Sequence, residues 1–130
     1  MRLILNDKIY SANAIIDDIY NVLDKLMYDY NVIVLENETS GDYIQLLCSK
    51  YSGIAEIRNY NDDEFIHLRA YSKINLKEDS VKLKTSAFVM EVKNKYVLST
   101  LILKRLIIDF LNNGEPSKRI EWEIITDEFK

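Results

Sequence analysis

The run from Asn94 to Gly114 constrains this chain more than any other stretch. Val97, Leu98, Leu101, Ile102, Leu103, Leu106, Ile107, Ile108, Phe110 and Leu111 crowd it, and at ~3.6 residues per turn they predict a helix of about five turns. Lys104, Arg105 and Asp109 interrupt it, and it falls short of the roughly 20 consecutive apolar residues that a membrane span needs. Ile102, Leu103, Leu106, Ile107 and Phe110 share a broad face, while Val97, Leu101 and Ile108 make a narrower second one. Arg105 and Asp109, four apart, are placed to pair across one turn. Asn112-Asn113-Gly114 tolerates the left-handed conformation that ends a helix, and Pro116 prevents its resumption. One apolar face suffices to dock such a helix on a sheet. The second is expected under other parts of the same chain, because helices apolar on nearly all sides are buried; the alternative is a dimer or partner interface.

The rest of the chain supplies the sheet. Arg2-Leu3-Ile4-Leu5 predicts a short strand, and Ser11 or Asn13 is the expected cap of a helix with Asp17 and Asp18 in its first turn. Ile15, Ile19, Val22 and Leu26 lie on one stripe of that helix, which is expected to end near Tyr30. From Val32 the apolar period becomes that of strands. Residues 32–36 and 43–48 flank a polar turn, and 54–60 and 64–71 flank Asn61-Asp62-Asp63, so two successive hairpins are expected. In the last of these strands Ile66, Leu68 and Ala70 face one way; Phe65, His67, Arg69 and Tyr71 face the other, which is the expected water-facing side. Residues 73–85 read as an edge strand or a loop, and 87–92 as a strand. In 119–126, Ile120, Trp122 and Ile124 are expected inward and Glu121 and Glu123 outward. The sum is a single α+β domain spanning 1–130: a mostly antiparallel meander of about five to six strands packed against two main helices.

Charge and cysteine usage narrow the function. The net charge is −4. Residues 1–72 carry 12 acids and 6 bases, a balance of −6, whereas 73–130 carry 9 acids and 11 bases, a balance of +2. An acidic chain repels phosphate backbones, so nucleic acid is disfavoured; Lys73, Lys77, Lys82, Lys84, Lys93 and Lys95 read as a solvated edge. No signal peptide is evident at the N-terminus and the single cysteine, Cys48, has no internal disulfide partner, which fits a cytoplasmic location. Its apolar neighbours predict a buried, inert thiol. With His67 the only histidine, a histidine metal cluster is excluded, and no cofactor is expected. His67 as a general base lacks a supporting constellation, so no enzyme activity is expected.

Binding residues are more legible. Asp62, Asp63 and Glu64 at one hairpin tip, with Glu36, Glu38 and Asp42 at the other, would form one negative rim if the loops share a sheet end; such a rim speeds encounter with a basic protein. Tyrosine supplies 9 of the 14 aromatic residues, and Tyr43, Tyr60 and Tyr71 fall at expected sheet-surface positions, where a large, nearly rigid, polar-tipped side chain suits an interface.

A small acidic chain with one cysteine, no enzyme motif, and tyrosine beside acid on its surface resembles the immunity proteins of bacterial toxin systems. The resemblance is one of general character and implies a cognate toxin, often a basic nuclease, whose active site or substrate groove is blocked. In that reading Asp62, Asp63 and Glu64 mimic phosphate charge, Tyr60 and Tyr71 are packed anchors, and Arg69 pairs with a toxin carboxylate. The chain also resembles secretion chaperones, which implies binding of a partner segment, or a homodimer, through the spare helix face. Neither resemblance implies a membrane.

Overall fold

Every strand expected from the alternation forms, the stretch 73–85 contains a strand, the first of its two readings, and two unforeseen strands join them. The computed structural model describes residues 1–74 and 79–129. Its elements are, in order, β1 (Arg2–Leu5), β2 (Lys8–Ser11), α1 (Ile16–Asp24), β3 (Asn31–Glu36), β4 (Tyr43–Cys48), β5 (Ser52–Asn61), β6 (Glu64–Tyr71), β7 (Ser80–Lys84) and β8 (Val89–Lys93). There follow β9 (Leu98–Ser99), α2 (Thr100–Asn113) and β10 (Glu121–Ile124), with 3-10 turns at Asn94–Tyr96 and Thr126–Phe129. The main sheet runs β10-β6-β5-β4-β3-β1-β2 with β9 on β5, eight strands rather than five to six, and β7 pairs with β8 in a separate ribbon. Every pairing is antiparallel. The chain is an α+β domain with two α-helices. No helix among the described residues is long and apolar enough to cross a membrane.

The organising helix is shorter than its apolar run. It begins at Thr100, not Asn94, because Ser99 is its cap: the Ser99 hydroxyl accepts from the Ile102 amide at 3.3 Å. Leu98 and Ser99 instead pair with Gly53 and Ser52. At the adjoining β4–β5 turn only a glycine fits position 53, since a Cβ there would stand 2.2 Å from the Leu47 carbonyl oxygen and 2.6 Å from the Cys48 Cα. The expected stop is observed, with Gly114 at φ 69 and its amide donating to the Phe110 carbonyl. Leu103, Leu106, Ile107 and Phe110 are fully buried against the sheet. The narrow face is covered only in part: Ile108 packs against the main core and Val97 against the smaller one, while Leu101 stays open. Val97 lies before the helix, Leu101 is 65% exposed, and Ile102 is 38% exposed although its position predicted the broad face. Asp109 does not pair with Arg105; it accepts from Arg119 Nε at 3.0 Å and from the Ser117 hydroxyl at 2.5 Å.

The first helix is also displaced from expectation. Ser11 lies in β2, which forms because Asn6 and Asp7 both take positive φ, 48° and 68°. That is the geometry of a two-residue hairpin turn whose twist matches its strands. The Asn6 side chain holds the turn in place by accepting from the Val32 amide at 2.9 Å. Helix α1 starts after Ile15, whose amide donates to the Asp18 carboxylate, so the cap is supplied from inside the first turn. It ends at Asp24 rather than near Tyr30, and the Met27 carbonyl and Tyr30 amide bond to Lys50 and Lys84 instead.

The two faces of the sheet are covered differently. One carries Leu3, Leu35, Ile44, Leu46 and Ile57 beneath α1 and α2 and forms the main core. The other buries Leu47 and Ile54 against Leu83 and Val92 of the β7–β8 ribbon and against Tyr96. Ile124, expected inward, is 70% exposed. Its strand is the sheet edge, and α2 packs mainly over β4, β5 and β9.

Candidate functional site

Alternation along β5 and β6 brings the polar residues of the chain to one face of the sheet. Cross-strand register sets Arg2, Glu36, Tyr43, Arg58 and His67 in one rank and Val34, Gln45, Glu56, Arg69 and Glu123 in the next. This face was expected to be wet, yet His67 is 2% exposed, Arg69 8% and Glu56 7%. The C-terminal turn provides the cover. The His67 amide donates to the Thr126 hydroxyl at 3.0 Å, the Ile125 amide donates to the His67 carbonyl, and the Phe129 ring lies 4.2 Å from the imidazole.

Under that turn the charged groups are tied in sequence. Arg58 Nε donates to His67 Nδ1 at 3.0 Å. Because an arginine can only donate, Nδ1 is the bare nitrogen, and the ring proton on Nε2 goes to Glu56 Oε1 at 2.6 Å. Arg69 Nε donates to the other Glu56 oxygen at 2.9 Å. Burial alone pushes the Glu56 carboxyl up, but the bond from His67 and the charge and bond of Arg69 outweigh it and hold the group below its ordinary value. His67 is therefore a structural link with both nitrogens occupied. Alongside it, the Arg58 guanidinium stacks on aromatic rings, 4.1 Å from the Phe65 centroid and 4.9 Å from Phe129. Tyr43 is half-buried next to it, and burial pushes its phenol up against the opposing pull of Arg58.

The two hairpin tips meet at one end of the sheet. The Tyr60 amide donates to the Asp42 carboxylate at 2.7 Å, and the Tyr60 ring packs over Gly41, which needs its φ of 82° to close the β3–β4 loop. In the other turn Asp62 sits at φ 56, a left-handed position that Asp and Asn tolerate. Of the six expected acids, Glu36 is paired with Arg2 and Asp42 is engaged as described. Glu38, Asp62, Asp63 and Glu64 are exposed and have no ion partner among the described residues. Tyr60 is exposed beside them, whereas Tyr71 is half-buried under the Lys95 ammonium. Arg69 is separated from the tips by His67 and its network.

The remaining sequence expectations resolve as follows. Cys48 is fully buried, and burial pushes its thiol up to about 12, so it offers no thiolate. Lys73 and Lys95 pair with Glu121 and Glu123, and Lys77 lies outside the described residues. Among the described residues no three His, Cys, Asp or Glu side chains cluster as metal ligands. Sequence reasoning missed Glu56, Arg58 and Phe129. Glu56 and Arg58 stand on the same alternation that selected His67 and Arg69, which was the available signal. Phe129 had none, since it reaches the face only through the fold. The chain is matched by no family model and by no curated protein, so its function is argued from this geometry.

Proposed function

We propose that this protein is a non-catalytic binding module that acts in the cytoplasm on a basic protein partner, in the manner of an immunity protein occluding the active site or substrate groove of a toxin. The observation that carries this reading is the hairpin-tip end of the sheet, where Glu38, Asp62, Asp63 and Glu64 stand exposed and, among the described residues, without ion partners around an exposed Tyr60. The tips are pre-organised by the Asp42–Tyr60 bond, so little ordering entropy is lost on docking. Unpaired acids accelerate encounter with a cationic groove, and a rigid tyrosine contributes packed area once docked. Phe65 packs beside Tyr60, ring centroids 6.2 Å apart, and Tyr43 stands farther along the same face beside Arg58. The buried Arg69 is a support of the sheet face and makes no part of the contact.

The test is affinity capture from the source cell with tagged wild type and with the triple variant Asp62→Lys, Asp63→Lys, Glu64→Lys, at low and raised salt. One basic protein recovered near one-to-one, weakened by salt and lost with the variant, is the expected result. Equal association rate and equal salt dependence for wild type and variant would remove the assignment.

A second reading has its own support. The exposed Leu101 and Ile102 on α2 suit a homodimeric scaffold or a chaperone-like module that holds a partner segment. A sedimenting species twice the chain mass at micromolar concentration would favour it, and a monomer would count against the dimer.

A further inference from the structure

The cleft between the β7–β8 ribbon and the C-terminal turn has the construction of a ligand site. It has a volume of about 390 Å³, with apolar walls from Leu47, Ile54, Phe88, Met90 and Phe129 over a floor containing Gln45, Glu56 and Arg69. That volume suits a small organic molecule, and apolar walls with a few convergent polar groups are how such sites are made.

Two features of the floor identify the chemistry. First, Arg69 is nine-tenths buried, yet among the described residues only its Nε makes a hydrogen bond, to Glu56. Nη2 forms an ion pair with an oxygen of Glu128, a half-exposed side chain lining the cleft, and at 3.8 Å that contact is beyond hydrogen-bond distance. The Nη groups are not sealed in the interior but open onto the cleft, where unfilled guanidinium donors favour an anionic acceptor. Second, the cluster's cations are thinly partnered: Arg58 has no carboxylate partner among the described residues, Glu56 serves both His67 and Arg69, and the further acid at Arg69 is the exposed Glu128 at 3.8 Å. Gln45, half-buried with no side-chain hydrogen bond among the described residues, adds an amide to the same floor.

We propose that this cleft binds a small organic carboxylate, its apolar body between Phe88, Met90 and Phe129 and its carboxylate on the free Nη groups of Arg69. Glu128 is the internal competitor for the same donors. The site is independent of the hairpin tips and stands or falls without the partner-binding reading.

The probe is 3-phenylpropionate, compared with its neutral amide, titrated into the full chain while methyl resonances of Leu47, Ile54 and Met90 are followed. The acid is expected to shift those methyls and to bind about tenfold more tightly than the amide, the size of a charge-assisted hydrogen bond. Removing the competing charge with Glu128→Gln, an exposed change that leaves the fold alone, is expected to tighten the acid by about threefold and leave the amide unchanged. Met90→Trp, which fills the cleft, is expected to abolish binding; should that variant not fold, Phe88→Ala at the exposed rim is expected to weaken it. Equal affinity for acid and amide, shifts confined to other methyls, no binding, or indifference to both Glu128→Gln and Phe88→Ala would each overturn the proposal.

Discussion

The two faces of the sheet are built from the same strands, residue by residue in alternation, and away from the small apolar cluster of Leu47 and Ile54 they are stabilised in opposite ways. Under the helices, Leu3, Leu35, Ile44 and Ile57 form one rank across four strands and are fully buried. One residue along, Arg2, Glu36, Tyr43, Arg58 and His67 form the facing rank. The apolar rank needs only volume and contact, and any neighbour of suitable shape serves. The polar rank needs partners: Glu56 requires both His67 and Arg69, Tyr96 donates to Glu123, and the His67 amide requires the Thr126 hydroxyl. The dry face is held by shape and contact, whereas the charged one is held by specific pairs, and among the described residues it still keeps unfilled donors at Arg2 Nε and at the Nη groups of Arg69.

Truncation in the core should therefore be the most damaging single change. Phe110→Ala, at a fully buried ring beneath the broad face of α2, is expected to cost about 4 kcal/mol, the transfer term plus the cavity left behind. Urea unfolding followed by circular dichroism measures it. A loss under about 2 kcal/mol would mean that the helix layer repacks and that the dry face contributes less than its burial implies.

The charged face should break less by volume than by orphaned charge. Glu56→Ala removes the partner of Arg69 and His67 together and is expected to cost about 3 kcal/mol. The same residue carries a pH signature. Its folded-state carboxyl is held below its ordinary value, so its contribution is complete above the unfolded value near pH ~4.3 and is lost as pH falls through the lower folded value. The stability difference between wild type and Glu56→Gln should thus be flat above about pH 5 and shrink on acidification. A difference that stays constant into strong acid would show that Glu56 acts through packing and not through its charge.

This contrast also explains what could be read from the chain. The stop of α2 was legible because Asn112, Asn113 and Gly114 act through their own backbone conformation, and the strand alternation was legible because its period is local. Two local signals were available and underused: Ser99 as a cap, and the Asn6-Asp7 pair as a hairpin turn. The burial of His67 and Arg69 was a different matter. It depends on Phe129 and Thr126, which lie about sixty residues away along the chain, and strand period tells which residues share a face without telling what covers it. The hairpin-tip acids were legible as a group, but their division into paired and free was not, because Arg2 reaches Glu36 only across β1 and β3.

The smallest expected effect returns to the helix that crowds its apolar residues on two sides. Leu101 and Leu106 occupy the same helix, one 65% exposed and the other fully buried. Leu101→Ser should change monomer stability by no more than about 0.5 kcal/mol, as for other exposed positions. That side chain is 65% exposed, so its removal vacates little packing. The value of the measurement lies in its concentration dependence. If the loss grows with protein concentration and exceeds about 1 kcal/mol, the side chain is buried between two copies, because only the native dimer gains from mass action. If it stays small at every concentration, the apolar surplus on α2 contributes nothing to the fold, and the contrast between a dry inner face and a charged outer one accounts for the stability of the domain.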